Sequence, residues 1–170
     1  MARFRFCPRC GAPLTAPPPD SATRAACTAG CGFVHYDNPT PVVAAVIEHD
    51  GHVLLARNRA WPETWYALVA GFLERGESPD SAVRREVKEE VGLDARDVTL
   101  IGVYPFAKMN QVIIAYHVVA SGPITLNEEL VAYRRVPPAE CRSWWAGTGL
   151  ALRDWLLSRG FDPEMTDLPG

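Results

Sequence analysis

The chain has 170 residues, 48% of them apolar and 22% charged, with a formal net charge of −3. That length suits one ordinary domain plus a small appendage, and the composition is that of a soluble globular protein. No apolar run approaches the roughly 18 residues of a membrane span, the N-terminus lacks a secretion-type apolar segment, and the acidic balance disfavours a broad grip on a phosphate backbone. The expectation is a cytoplasmic protein with no membrane partner, for which nucleic acid is not the expected ligand.

Four of the five cysteines fall in the first 31 residues. Cys7-Pro8-Arg9-Cys10-Gly11 and Cys27-Thr28-Ala29-Gly30-Cys31-Gly32 form two knuckles, with sixteen residues between Cys10 and Cys27. Four thiolates so spaced suit a structural Zn²⁺ site, and the glycine after each pair frees the backbone to turn its N–H groups toward sulfur. Disulfides, the alternative, belong to an oxidising compartment. His35 is not needed once four thiolates fill a tetrahedron. Between the knuckles, residues 13–23 carry three consecutive prolines and read as an extended loop. A ribbon of this size builds no core of its own, so zinc would supply its folding energy. Cys141 stands alone and reads as a structural residue.

Tyr36 to Pro41 reads as a linker and the Val- and Ile-rich run Val42 to Glu48 as a strand. Asp50-Gly51 is a hairpin signal, with His49 and His52 read as solvated turn residues, and Val53 to Arg57 as the returning strand. Trp61, Trp65 and Tyr66 are either core aromatics or a surface on which a base stacks. Ala67 to Ala70 is a short strand leading to Gly71, where a turn to Gly76 begins. Ser78 is a favourable N-cap, Pro79 suits the first helical position and Gly92 is a natural stop, so Pro79 to Val91 reads as a helix. Val83, Val87 and Val91 form its apolar stripe, and Glu86, Glu89 and Glu90 share the neighbouring face. Three acids so close repel, and a divalent cation would reverse the sign of that interaction. Val98 to Tyr104 and Val112 to Val119 read as strands. Glu128 and Glu129 follow in a segment read as a loop, and Ser143 to Ser158 as an amphipathic helix whose tryptophans pack on the sheet.

Gly71, five residues, Glu77, seven residues, then Arg85-Glu86-Val87-Lys88-Glu89-Glu90-Val91-Gly92-Leu93 matches the whole Nudix box. The chain thus resembles the Nudix hydrolases. The resemblance implies an α/β fold, an α/β/α sandwich with a mixed sheet over residues 39–170, preceded by a zinc ribbon over residues 1–38. It implies Mg²⁺- or Mn²⁺-dependent attack of water on a diphosphate that links a nucleoside to another group. Glu86, Glu89 and Glu90 would bind the metal and the Gly71 carbonyl would assist. Arg85 would pair with Glu77, and Glu89 or Glu90 would position or deprotonate water. Glu128 and Glu129 read as solvated loop charges, the alternative being that one of them supplies the extra carboxylate, for metal or base, that the resemblance implies after the sheet. The order of ribbon and box resembles the NADH pyrophosphatases, whose motif past the box survives here only as Pro105-Phe106. Substrates of the NADH, ADP-ribose or FAD type follow, with Tyr66, Gly71, Tyr104 and Phe106 as candidate binding residues and a homodimer as the implied assembly. The rival reading is a nucleotide-sensing or binding module with little catalysis. Decapping of nucleotide-capped RNA is disfavoured by the net charge.

Overall fold

The structure, a computed structural model, describes residues 4–16 and 24–167. The chain divides into two units, Met1–Pro39 and Thr40–Gly170. In the first, β1 (Ala25–Ala26) pairs antiparallel with β2 (Val34–His35), and single bridges join Phe6 to Pro13 and Leu14 to Cys27. Much of the extended loop expected over residues 13–23, its proline run included, lies outside the described residues.

The second unit is built on a six-stranded mixed sheet. Its strands are β3 (Thr40–His49), β4 (His52–Asn58), β5 (Val69–Phe72), β6 (Asp94–Phe106), β7 (Gln111–Ser121) and β8 (Leu130–Val136). They run in the order β6-β7-β3-β4-β8, with β5 paired to β3. Only β3 and β7 are parallel; the other pairs are antiparallel. Alternation along β3 makes the layers. Val43, Ala45 and Ile47 face α1 (Pro79–Val91) and join Val83, Val87 and Val91 in one core. Val46 points the opposite way and meets Leu152, Trp155 and Leu156 of α2 (Thr148–Ser158). This is the α/β/α sandwich that the resemblance implies.

Helix α1 ends at Gly92 in the left-handed region, φ 73°. Its start differs from expectation: Ser78 makes no capping bond, and its hydroxyl donates to Ser81 Oγ instead. The cost is about 1 kcal/mol. Three fully buried valines contribute roughly 5 kcal/mol of transfer free energy, so packing rather than capping decides this helix.

Several boundaries also differ. β3 begins inside the stretch read as linker, because Thr40 N–H donates to Asn110 O (2.9 Å) and Pro41 stands near the strand start, where a missing N–H is tolerated. Gly71 lies within β5, opposite Val43, and the turn starts after Phe72. His49 is not solvated: it is buried, with Nε2 3.0 Å from Gly122 O. The tail helix starts at Thr148, since Ser143–Trp144 forms a short strand, β9, parallel to β10 (Met165–Thr166). Trp155 packs as expected, but Trp145, which was expected to pack as well, is exposed, and its neighbour Trp144 is buried instead. Among the described residues no helix is long and apolar enough to cross a membrane.

Candidate active site

Strand β5 brings Gly71 against helix α1. A Cβ on Gly71 would collide with the Glu86 carboxyl group, so this close approach requires glycine. Glu86 is buried, Glu90 half-buried and Glu89 exposed. Arg85 organises the face. Its Nε and Nη2 donate to the two carboxylate oxygens of Glu77 at 2.9 and 3.0 Å, and Nη2 also donates to Phe72 O at 3.2 Å. Nη1 donates to Glu86 Oε1 at 2.7 Å and to Glu89 Oε2 at 3.0 Å. The guanidinium holds the Glu77 carboxyl below the usual carboxylate range, and Glu77 in turn strengthens the arginine's hold on its proton.

Glu90 has no such compensation. Burial, then the charges of Glu86, Glu129 and Glu89, push its carboxyl up to about 7. Glu90 and Glu129 have no ion-pair partner among the described residues. Both line a cavity of about 600 Å³. The sequence left Glu128 and Glu129 as equals; Glu129 faces this cavity and Glu128 is not among its lining residues. A half-buried carboxylate beside a second unpaired one, with Glu86 and Gly71 adjoining, is a donor set that fits a hard divalent cation.

The remaining walls are aromatic and apolar: Trp61, Trp65, Phe72, Phe106 and Trp144, with Asn58, Lys108 and Gln111 as polar points. Trp65 stands edge-on to Trp144 at 5.3 Å and to Trp61 at 6.4 Å. Of the candidate binding residues, Gly71 and Phe106 line the cavity. Tyr66 and Tyr104 are not among its lining residues. The Arg134 guanidinium lies 4.0 Å over the Tyr66 ring, and Tyr104 donates its hydroxyl to Asp154 Oδ2 at 2.9 Å. Trp61, Trp65, Phe72 and Trp144 take up the cavity wall.

In the N-terminal unit the Sγ atoms of Cys7, Cys10, Cys27 and Cys31 all lie within 4.8 Å of one another. Cys7 and Cys31 are 3.5 Å apart, Cys10 and Cys27 3.4 Å. A tetrahedron of Zn–S bonds of about 2.3 Å has edges of about 3.8 Å, so the cluster fits zinc with little movement. The Cys31 backbone N–H, ahead of the neighbouring thiols, draws the Cys27 thiol down to about 6. Cys10 is pushed up to about 12: the Ala12 N–H lowers it, but hydrogen bonding with Cys27, Cys31 and Cys7 prevails. The Cys27 thiolate thus forms readily, whereas Cys10 and Cys31 resist until a cation supplies the opposing charge. Among the described residues this is the only cluster so tight; the α1 carboxylates converge less, with Arg85 holding Glu86 and Glu89.

Comparison with known proteins bears on the fold and the family. The family model described as NUDIX domain matches residues 38–155, and that described as Nudix N-terminal, a zinc ribbon, matches residues 5–37. The NAD-capped RNA hydrolase NudC of Mycobacterium bovis is 39% identical over 88 residues, 51% of this chain and 28% of the relative. Its namesake from Vibrio atlanticus is 33% identical over 114 residues, 66% of this chain and 41% of the relative. The aligned region is well under half the length of these curated relatives. A NUDIX hydrolase structure from Nitrosomonas europaea superposes with a TM-score of 0.71 over 97% of this chain and 100% of its own, at 21% identity. A MutT NUDIX hydrolase from Burkholderia pseudomallei gives a TM-score of 0.57 at 25% identity, over 69% of this chain and 98% of its own.

Proposed function

The chain belongs to the NUDIX domain family, and on that footing we propose that it is a divalent-cation-dependent pyrophosphohydrolase acting on a diphosphate-linked nucleotide. The observation that carries this reading is the uncompensated pair Glu90 and Glu129, set beside Glu86 and Gly71 in the wall of an aromatic cavity. Glu86, Glu89 and Glu90, with Glu129 facing them, hold Mg²⁺ or Mn²⁺. When bound, the cation neutralises the diphosphate and makes hydroxide available near neutral pH. Arg85 and Glu77 position the carboxylate face and the turn after Phe72. Glu89 or Glu90 positions or deprotonates the attacking water. The tryptophans and Phe106 bind a base or nicotinamide-like ring and exclude water from the diphosphate.

The aromatic cavity wall supports substrates of the NADH, ADP-ribose and FAD type, and the relatives' name brings NAD-capped RNA into the same panel. In the N-terminal unit, Cys7, Cys10, Cys27 and Cys31 hold Zn²⁺ as a structural ion. The test is cleavage of NADH, ADP-ribose, FAD and NAD-capped RNA in ¹⁸O-water with Mg²⁺ or Mn²⁺. The expected result is a nucleoside monophosphate product and one ¹⁸O in a product phosphate. Absence of cleavage across the panel with both cations contradicts the reading.

A further inference from the structure

Glu129 sits in the connection between β7 and β8, a place where a side chain is ordinarily mobile. Here the connection is tied down from three sides. Thr125 N–H donates to Val91 O (2.9 Å) and Asn127 N–H to Glu90 O (3.0 Å), so the segment runs along the last turn of α1 and satisfies its free carbonyls. The contact is close, since a Cβ on Gly92 would come within 3.1 Å of Thr125 Cβ. From the other side, Arg59 at the end of β4 donates its N–H to Glu129 O (2.8 Å) and its Nη2 to Glu128 O (3.1 Å). The third tie is the Asn127 side chain. Its Oδ1 accepts both Glu129 N–H and Leu130 N–H, each at 3.1 Å. The β4–β8 register then shifts, Arg57 facing Ala132 and Asn58 facing Leu130. The Glu129 backbone is thus bonded at both N–H and C=O, while its side chain lines the cavity with Glu90.

We propose that Asn127 is a positioning residue that fixes Glu129 opposite Glu90, so that the two carboxylates meet a divalent cation already in place. The proposal rests on reading the carboxylate face as a cation site. Asn127 links the two walls of that site in one residue: its backbone N–H holds the end of the helix that carries Glu90, and its side chain holds the backbone of Glu129. It does so with a neutral acceptor, adding no charge to a face already crowded with acids. Without it, Glu129 would have to be ordered on binding, and that ordering is subtracted from affinity. Loss of such outer-shell support typically weakens metal sites about 10- to 100-fold.

The test is Mn²⁺ titration, by calorimetry and by the electron paramagnetic resonance signal of free Mn²⁺, of the full zinc-loaded chain freed of other divalent cations. Asn127→Ala is expected to raise the Kd about tenfold, and Asn127→Asp, which keeps the acceptor, to bind at least as well as wild type. The deciding comparison is a double-mutant cycle. If Asn127 acts through Glu129, Asn127→Ala changes the Kd less than about twofold in a Glu129→Gln background. A wild-type Kd for Asn127→Ala, or the same tenfold loss in both backgrounds, overturns the proposal. Should the alanine variant fail to fold, Asn127→Ser carries the same test, an unchanged Kd again overturning it. Failure of the underlying reading looks different: Glu90→Gln itself would then bind Mn²⁺ as wild type does, or wild type would not bind it at all.

Discussion

Arg85 uses every part of its guanidinium: two bonds to Glu77, one each to Glu86, Glu89 and the Phe72 carbonyl. The side chain is 25% exposed, so solvent screens the pairs only in part. Arg85→Ala leaves three carboxylates uncompensated and should cost about 1 to 2 kcal/mol, a fall in Tm of about 3–8 °C. Turnover should fall at least tenfold, and Arg85→Lys should not restore it, since an ammonium cannot reproduce the fork. Wild-type turnover in the alanine variant would remove Arg85 from the mechanism. Glu90 predicts a pH dependence. Its folded-state value, about 7, stands above the ordinary carboxylate 4.5, so the folded chain binds more protons than the unfolded one between those limits. In cation-free protein the stabilisation is fully present below about 4.5 and is lost as pH rises through about 7. Melting scans across that window should show Tm falling with pH, and Glu90→Gln should flatten the fall. A Glu90→Gln curve parallel to wild type would show that Glu90 is not under this strain.

At the scale of elements, β5 and α1 meet at one point without room for a side chain. Gly71→Ala places a methyl where the Glu86 carboxyl lies. The carboxyl end can swing away, so stability should change by less than about 1 kcal/mol, but a misplacement of about 1 Å at a reacting site is worth roughly 100-fold in rate. Near-native Tm with kcat reduced at least tenfold is the expected pair of results, measured by melting and steady-state hydrolysis; unchanged kcat would show that Glu86 need not stand there. Helix α1 was legible in the sequence because its signals are local: Pro79, the valine stripe and Gly92. β8 was not, because Leu130 to Val136 lies at a sheet edge and exposes Val131, Tyr133, Arg134 and Arg135, which breaks the alternation that marks a half-buried strand. Strand β6 is the other edge, and its first four residues include the polar Asp94, Arg96 and Asp97; Asp94, Ala95 and Asp97 pair with Ser121, Ala120 and Val119 of β7. The burial of His49 depends on Gly122, a contact across 73 positions that no local pattern carries.

At the scale of the whole molecule, the cysteine cluster and the box residues were readable because they follow fixed spacings, whereas the cavity was not. Its walls combine Trp61, Phe106, Leu130 and Trp144, which meet only once the sheet is assembled. Tyr66 and Tyr104 were plausible ring-binding residues by position, yet Arg134 and Asp154 engage them outside the cavity wall. The two units should respond separately to loss of zinc. Purified protein should hold about one zinc per chain. Cys10→Ser should lower that content and loosen the ribbon while residues 40–167 keep their cooperative melting transition. Metal analysis together with near-ultraviolet circular dichroism checks this, and a zinc-free native protein would overturn the ribbon assignment. Whether the α1 carboxylates hold the cation that drives diphosphate hydrolysis is decided by one assay. Hydrolysis of the substrate panel is measured against Mg²⁺ concentration for wild type and Glu90→Gln. Saturable, Mg²⁺-dependent cleavage by wild type and a loss of at least about 100-fold in kcat for the variant are expected. Equal, Mg²⁺-independent or absent cleavage in both proteins would contradict that role of the carboxylates.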